Sequence, residues 1–155
     1  MVEFSHVAGD KAEMVDISGK GEVTRAAVAK GRIVLRSETL QAIRNGTVVK
    51  GNVLATARIA AALAVKDTPH LIPLCHPIPV AGITVDFEET EGAIEVRVGV
   101  KSFGRTGVEM EALTGVSVAL LTIWDMVKSA EKDEQGQYPE TRIEGIEVVE
   151  KRKGA

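Results

Sequence analysis

The chain has 155 residues, a formal net charge of −3 at pH 7 and a single cysteine. That length suits one domain that buries a core without disulfides or metals, and a lone cysteine excludes an internal disulfide and favours a reducing cytoplasm. The acidic balance, with one Trp, one Tyr and three Phe, argues against a nucleic-acid binder, and charges interrupt every apolar run before the roughly 20 residues of a bilayer-spanning helix. We therefore expect a soluble cytoplasmic protein without a membrane or nucleic-acid partner.

The first third of the chain predicts one short strand and one short helix. Residues 1–29 are irregular in pattern, because glycines interrupt any periodicity. The alternation in "RIVLR", residues 32–36, is typical of a strand with one buried face. Ser37 can cap a helix through "ETLQAIR", and Asn45-Gly46 can end it.

The middle of the chain predicts a longer helix followed by a hairpin. The run from Gly51 to Val65 is rich in alanine and leucine and is apolar on most of its circumference, so this helix should be buried on more than one side. "ITVDFEE" at 83–89 and "IEVRVGVK" at 94–101 both alternate apolar with polar residues. With a turn at Glu91-Gly92 they form a hairpin with one face toward water.

The last third predicts a long helix and a final strand. The helix runs from about Gly107 to Lys132, and "TRIEGIEVVEK" at 141–151 is a strand with a bulge at Gly145, where the apolar residues change phase. The order of elements is that of a ferredoxin-like βαββαβ fold of the α+β class, an antiparallel four-stranded sheet with helices on one face. No linker or repeat divides the chain, so we expect a single domain over 1–155.

The long helix carries more apolar surface than one sheet can cover. If one of its faces packs on the sheet, a second face needs cover, and that face includes Leu113, Val116, Leu120, Leu121 and Trp124. A homo-oligomer with a two-fold interface would provide the cover.

The same helix offers one acid/base pair near its end. Asp125 is the only charged residue between Ala112 and Val127, and Lys128 follows three positions later on the same side. The pair is either a surface ion pair or an acid/base pair whose protonation is set by a partly apolar setting. Glu111 lies 14 residues before Asp125, which is about 21 Å along a helix. If both serve one reaction centre, they must come from different subunits.

Basic residues offer two candidate anion sites. "GRTGVEME" opens the long helix, where Arg105 and nearby amides could hold phosphate. A plain helix start, with acidic residues favoured by the helix dipole, explains Glu109 and Glu111 equally well. Arg58 is the only charge inside the second helix, and Lys50 lies just before that helix. Arg58 is either a snorkelling surface arginine or a cation directed into a subunit cleft.

The segment "LIPLCHPIPV" places Cys75 beside His76 among three prolines, which favour a rigid, extended conformation. No second Cys or His pair has metal-ligand spacing, so we expect no zinc site. Adjacent residues of an extended segment point to opposite sides, so if His76 faces a cleft, Cys75 faces the core and is a small buried hydrophobe rather than a nucleophile. His6 and His70 have no partner pattern, and we assign them no role.

Several longer motifs resemble those of one family. "MVDIS" followed by Lys20 and Thr24-Arg25, then "KGNVLATARIA", "LIPLCHP", "TGVEMEALTGVSVALLTIWDM" and Lys128, are similar in order and spacing to the cyclic pyranopterin monophosphate synthase family of molybdenum cofactor biosynthesis. The resemblance covers nearly the whole chain. "LIPLCHP" and "GVEMEALT" are far more specific than any short nucleotide motif.

The resemblance implies a reaction and a set of site residues. Enzymes of the family rearrange 3′,8-cyclo-7,8-dihydroguanosine 5′-triphosphate to the cyclic pyranopterin monophosphate and release pyrophosphate, and no cofactor or metal is implied. By the family pattern, Asp125 is catalytic and Lys128 assists as general acid or base. The implied substrate positions are Leu74, Cys75, His76, Lys50, Glu109, Met110 and Glu111, with Lys20, Arg25 and Arg58 as the basic residues for the triphosphate.

The resemblance also implies a hexamer, built as a trimer of dimers, with its site at a subunit interface. Two features depart from the family pattern. Many members have aspartate where this chain has Asn52. Many bacterial members have a glycine-rich, lysine-containing tail, whereas this chain has "KRKGA" after an added "DEQGQYPET" stretch. We therefore expect a tail that covers substrate to be reduced. Two alternatives are a regulatory ligand-binding domain without catalysis and an RNA-binding domain, but "RVGVKSF" offers the latter only Phe103.

Overall fold

The computed structural model describes residues 2, 4 and 9–154, so His6 lies outside the described residues. Its elements are β1 (Val23–Val34), α1 (Ser37–Asn45), α2 (Val53–Leu71), β2 (Val80–Thr90), β3 (Ala93–Gly104), α3 (Glu109–Glu131) and β4 (Arg142–Lys153). The four strands pair antiparallel in the order β2-β3-β1-β4. This arrangement confirms the predicted ferredoxin-like α+β fold.

Strand β1 begins at Val23, so the prediction that residues 23–29 are irregular is wrong. Its helix-facing positions are small, and Ala27 is almost fully buried. A Cβ on Gly31 would lie 2.9 Å from Val116 Cγ1 of α3. Alanine and glycine are weak strand formers, and the close fit against α3 decides the conformation here.

The hairpin of β2 and β3 is confirmed, with its turn at Glu91-Gly92, where Gly92 adopts a φ of 70°. β3 alternates as predicted, because Val96 is buried toward the helices and Arg97 is exposed on the other face. The bulge at Gly145 is also confirmed, since the pairing of β4 with β1 changes register there and Gly145 has a φ of 67°.

Helix α1 begins without the predicted serine cap. Its N-cap residue is Arg36, and Ser37 is already helical. The carboxylate of Glu131, at the end of α3, instead accepts a hydrogen bond from the Arg36 backbone N–H at 3.2 Å and another from the Thr39 hydroxyl. The predicted end is confirmed, because Gly46 is left-handed and its N–H donates to carbonyls of the last turn.

Helices α2 and α3 pack side by side on one face of the sheet. Gly115 permits their close approach, because a Cβ there would lie 2.9 Å from Val65 Cγ2 and 3.0 Å from Val98 Cγ1. α2 continues past its predicted end to Leu71, with Pro69 in its last turn. α3 is long and apolar enough to cross a membrane by length and composition, but half of that apolar window is buried inside the protein, which is the behaviour of a core helix.

The burial of these two helices bears on two predictions. α2 packs against both α3 and β2, as predicted of a helix buried on more than one side, and its remaining side is exposed within this chain, with Ile59 64% and Leu63 56% exposed. On α3, Val116 and Leu120 are fully buried by the chain itself. Among the five α3 residues expected to need cover, Leu121 alone is exposed, at 58%. The apolar surface left open is therefore smaller than predicted and lies mostly on α2.

Candidate active site

Helix α3 carries candidate residues near both of its ends. Glu109, Met110 and Glu111 form its first turn, and Asp125 and Lys128 lie near its last turns. The two groups are about 21 Å apart along the helix axis, because each residue adds about 1.5 Å. One chain therefore holds two separate candidate groups.

The group near the end of α3 is a carboxylate between two ammonium groups. Lys128 Nζ donates to Asp125 Oδ1 at 2.9 Å, which confirms that the two side chains share one side of the helix. Lys50, from the loop before α2, donates to Asp125 Oδ2 at 3.1 Å and to the Asp125 backbone carbonyl at 3.0 Å. We call Lys50, Asp125 and Lys128 the Lys-Asp-Lys triad.

The charges of the triad stabilise one another, but water reaches all three. The hydrogen bond from Lys128, and then that from Lys50, lowers the pKa of Asp125, and the bond to Asp125 raises the pKa of Lys128. The side chains of Asp125, Lys50 and Lys128 are 59%, 46% and 44% exposed. Ion pairs with this exposure are strongly screened. A second surface laid over the triad would strengthen its electrostatics considerably.

A pocket of about 410 Å³ lies at the other end of α3. It brings together side chains from the segment before β1, the segment after α2 and the start of α3. Six predicted site residues line it, namely Lys20, Leu74, Cys75, His76, Glu109 and Met110. We call it the N-terminal pocket. Its volume falls within the range of small-molecule sites.

Cys75 and His76 both line the N-terminal pocket, so the expectation that they face opposite sides is wrong. The Cys75 N–H donates to the Ile72 carbonyl at 3.0 Å, which closes a turn over residues 72–75. The segment up to Cys75 is therefore not a strand, so the strict alternation of side chains on which the expectation rested does not apply there.

Glu111 is buried beside the cysteine. The Cys75 Sγ lies 3.5 Å from Glu111 Oε1, and Glu111 Oε2 has no hydrogen-bond partner within the described part of the chain. Burial raises the pKa of Glu111. Burial first, and then the Glu111 carboxylate, raise the pKa of the Cys75 thiol to about 11. The thiol is therefore protonated near neutral pH, in keeping with the prediction that Cys75 is not a nucleophile.

Two basic side chains of the sheet, Arg25 and Lys151, contact residues close to the start of α3, although neither lines the N-terminal pocket. Arg25 is buried on the helix-facing side of β1, where its Nε donates to the Gly104 carbonyl at 3.4 Å. Lys151 of β4 lies opposite Ala27 and places its Nζ 3.4 Å from Glu109 Oε1. Sequence analysis missed Lys151, because the two register shifts in β4 prevent its face from being deduced by alternation.

Two arginines have other partners. Arg58 belongs neither to the Lys-Asp-Lys triad nor to the lining of the N-terminal pocket. It lies in a groove of about 760 Å³, where it donates a hydrogen bond to the Val85 carbonyl and its guanidinium is 5.4 Å from the centre of the Phe87 ring. Arg105 Nε donates to the Lys20 carbonyl at 3.1 Å, so it holds the segment that carries Lys20.

The departure at position 52 preserves a structural role. The Asn52 side chain caps α2 by accepting a hydrogen bond from the Ala55 N–H at 2.9 Å, which an aspartate would also do. Within the part of the chain that the structure describes, no three His, Cys, Asp or Glu side chains group as metal ligands would. Chemistry without a metal stays a prediction.

The fold and its two groups of polar residues are those of a ferredoxin-like enzyme with the side chains for acid/base chemistry. The MoaC family model matches residues 14–154, and the chain belongs to this family. A relative from Methanoregula boonei, described as "Probable cyclic pyranopterin monophosphate synthase", is 71% identical over 99% of both chains. Relatives with the same description from Methanosphaerula palustris and Archaeoglobus fulgidus are 71% and 61% identical, over 99% of this chain and 100% and 98% of theirs. The resemblance drawn from the motifs is confirmed.

Proposed function

We propose that this chain is a cyclic pyranopterin monophosphate synthase of molybdenum cofactor biosynthesis, acting in the cytoplasm on 3′,8-cyclo-7,8-dihydroguanosine 5′-triphosphate and releasing pyrophosphate. The observation that carries the proposal is the Lys-Asp-Lys triad, in which each oxygen of Asp125 meets one ammonium group. The family and the descriptions of the relatives support the same reaction.

The reaction needs protons to be moved and a triphosphate to be held. Closing a cyclic phosphate forms a bond from a substrate hydroxyl to the α-phosphorus and breaks the bond to pyrophosphate. Asp125 is ionised and can accept a proton, and Lys128 is protonated and can donate one. Because the ion pair lowers the pKa of Asp125 and raises that of Lys128, each is a weaker base or acid while they remain paired than when substrate separates them. Cations near the leaving group offset the charge that develops on pyrophosphate.

The N-terminal pocket is suited to bind the substrate. Lys20, Arg25 and Lys151 bring positive charge to this end of α3, which favours a polyphosphate. His76 lines the pocket, and Glu111, buried beside Cys75, has an oxygen without a partner among the described residues, so we assign both to hydrogen bonds with the reacting rings. We assign Arg58 less directly, since its guanidinium is already engaged with β2.

We further propose that the complete site forms between subunits. Within one chain the triad and the N-terminal pocket are about 21 Å apart, too far for one small substrate. The triad is half-exposed, and the apolar Ile59, Leu63 and Leu121 are open to solvent, as expected of surfaces that another copy covers. The assembly implied by the family resemblance, a hexamer built as a trimer of dimers, would supply that copy.

Replacement of Asp125 tests the activity. We expect Asp125→Ala to lower kcat by at least about 100-fold, since positioned acid/base groups typically contribute that much. The assay incubates each protein with the cyclized GTP intermediate and measures pterin fluorescence after oxidation. Asp67→Ala is the matched control, because Asp67 is also exposed on a helix and lies 3.9 Å from a basic partner three residues on, His70. Full activity in Asp125→Ala would overturn the assignment.

Mixing two inactive variants tests the shared site. If Glu111 of one subunit works with Asp125 of another, reassembled mixtures of Glu111→Ala and Asp125→Ala chains contain some sites with both residues intact. Random pairing in a two-fold dimer should restore about one quarter of the wild-type activity. A mixture that stays inactive after verified subunit exchange would overturn the proposal of a site shared between subunits.

A further inference from the structure

The loop between α3 and β4, residues 132–141, has a fixed turn at its start. The Asp133 N–H donates to the Gln137 carbonyl at 2.9 Å. The Asp133 carboxylate accepts the N–H groups of Gln135 and Gln137, each at 2.9 Å. These bonds fix the backbone directly before Tyr138, so the position of its ring is set by the loop.

The Tyr138 ring lies along one stripe of α3. Its centre is 5.1 Å from that of Trp124, with an angle of 63° between the planes, an edge-to-face contact. The Lys132 Nζ is 6.0 Å from the centre of the same ring. Trp124 and Lys128 are four residues apart on one side of α3, and Lys132 follows four residues later as the C-cap residue. A ring that contacts both Trp124 and Lys132 therefore spans the last turn of the helix, where Lys128 lies, and Tyr138 contributes to the raised pKa of Lys128.

We propose that Tyr138 is a positioning residue, whose ring forms a wall along the Lys128 side chain and keeps its ammonium on Asp125 Oδ1. The inference rests on the proposed acid/base function of this pair. A lysine side chain has several accessible rotamers, and that of Lys128 is 44% exposed. Since the ion pair is screened by water, it cannot by itself hold the side chain in one conformation. An aromatic wall excludes the rotamers that point away from Asp125.

The other charged groups near Lys128 do not replace this wall. Asp125 lies on α3 itself, Lys132 lies directly after the end of α3, and Lys50 reaches the Asp125 carboxylate from the loop before α2. The main cause of the raised pKa of Lys128 is its bond to Asp125, with a smaller contribution from Tyr138. When Lys128 leaves Asp125, its pKa therefore falls toward the ordinary value for lysine.

Chemical labelling tests the position of Lys128 without substrate. In the assembled protein, an amine-directed acylating reagent reacts with neutral lysine, and peptide mass spectrometry gives the rate at Lys128 as a function of pH. We expect Tyr138→Ala to label Lys128 about 3- to 10-fold faster than wild type, because the side chain is freed and its pKa falls. Tyr138→Phe keeps the ring and should stay within about twofold of wild type.

Kinetics test whether the position matters for the reaction. We expect Tyr138→Ala to lower kcat about 3- to 10-fold with KM changed by less than about twofold, and Tyr138→Phe to restore it. The basic limb of the pH profile, where Lys128 loses its proton, should move to lower pH in Tyr138→Ala. The fluorescence of Trp124, the only tryptophan, verifies folding, and Tyr138→Leu provides the comparison if Tyr138→Ala does not fold.

Gln137→Ala is the matched control, because it alters the neighbouring exposed side chain and keeps the backbone bonds of the loop. The proposal is overturned if Tyr138→Ala has the wild-type labelling rate at Lys128 and the wild-type kcat. It is also overturned if Gln137→Ala changes these two quantities as much as Tyr138→Ala does, or if Tyr138→Ala raises the labelling rate without lowering kcat. Wild-type kcat in Asp125→Ala and Lys128→Ala would instead overturn the proposed function, whatever the labelling result.

Discussion

Glu111 and Glu131 are two fully buried carboxylates near opposite ends of α3, and their surroundings differ sharply. Glu131 accepts hydrogen bonds from the Arg36 N–H, the Thr39 hydroxyl and, at 2.8 Å, the Thr141 hydroxyl. Glu111 has the Cys75 thiol near one oxygen, and its other oxygen has no partner among the described residues. Buried polar groups without partners are rare and call for an explanation.

The comparison separates a structural carboxylate from one that we propose to be functional. Glu131 joins the end of α3 to the start of α1 and to the residue before β4, and its hydrogen bonds are complete. Glu111 keeps free hydrogen-bonding capacity beside Cys75, which lines the N-terminal pocket, and we propose that another molecule or subunit supplies its partner. Burial of a carboxylate alone therefore does not indicate a site, whereas burial with an unfilled oxygen does.

The largest expected effect on stability follows from removing Glu131. Glu131→Ala leaves the Arg36 N–H and the two threonine hydroxyls without an acceptor and opens a cavity. We expect the free energy of unfolding to fall by about 3–5 kcal/mol, the loss typical of a broken buried network. Urea unfolding at pH 7 measures it, with Glu134→Ala in the exposed loop as the control. A loss below about 1 kcal/mol would mean that water replaces the network easily.

The next effect concerns the reactivity of Cys75 beside Glu111. With a pKa of about 11, the thiol should react with iodoacetamide at pH 8 on the order of 10- to 100-fold more slowly than a free cysteine peptide. Glu111→Gln removes the nearby charge and should accelerate the reaction. The urea-unfolded chain provides the control for intrinsic reactivity. Alkylation at the rate of the free peptide would show that Cys75 lacks the protected environment described here.

Sequence periodicity predicted the elements whose pattern is set locally. The β2-β3 hairpin, the long helix and the spacing of Asp125 and Lys128 all follow from alternation of period 2 or 3.6, which depends on neighbouring residues only. Periodicity failed where distant packing decides. The start of β1 was missed because Ala27 and Gly31 are small to fit α3, and α1 is capped by Glu131 rather than by its own serine.

Periodicity predicted even less of the candidate site than of the fold. Lys20, Cys75 and Glu109 come from segments far apart in the chain, and only the family resemblance grouped them before the structure placed them in one pocket. Neither periodicity nor the family resemblance indicated Lys151. Because of the two register shifts between β4 and β1, alternation along β4 does not predict which face of the sheet Lys151 lies on. No local sequence pattern indicates the role of Glu131. Its contacts with residues far away in the sequence distinguish it from an exposed glutamate at the end of a helix.

The smallest expected effect compares the stability of Glu111→Gln at two pH values. Burial raises the pKa of Glu111 above its ordinary value of 4.5, so the folded state binds the proton more tightly than the unfolded state does. The free energy of unfolding therefore falls as pH rises from about 4.5 through the folded pKa. Glutamine does not titrate, so Glu111→Gln should be about 1 kcal/mol more stable than wild type at pH 8 and equal to it at pH 4.

Urea unfolding at both pH values measures this difference, with Glu38→Gln as the exposed control. The same difference at pH 4 and pH 8 would attribute the effect to packing rather than to the buried charge. A Glu111→Gln chain that is more stable at pH 8 and yet slower with the cyclized substrate would show that the wild-type protein gives up stability to keep this buried carboxylate beside Cys75. Such an exchange of stability for activity is expected of a functional group and not of a structural one such as Glu131.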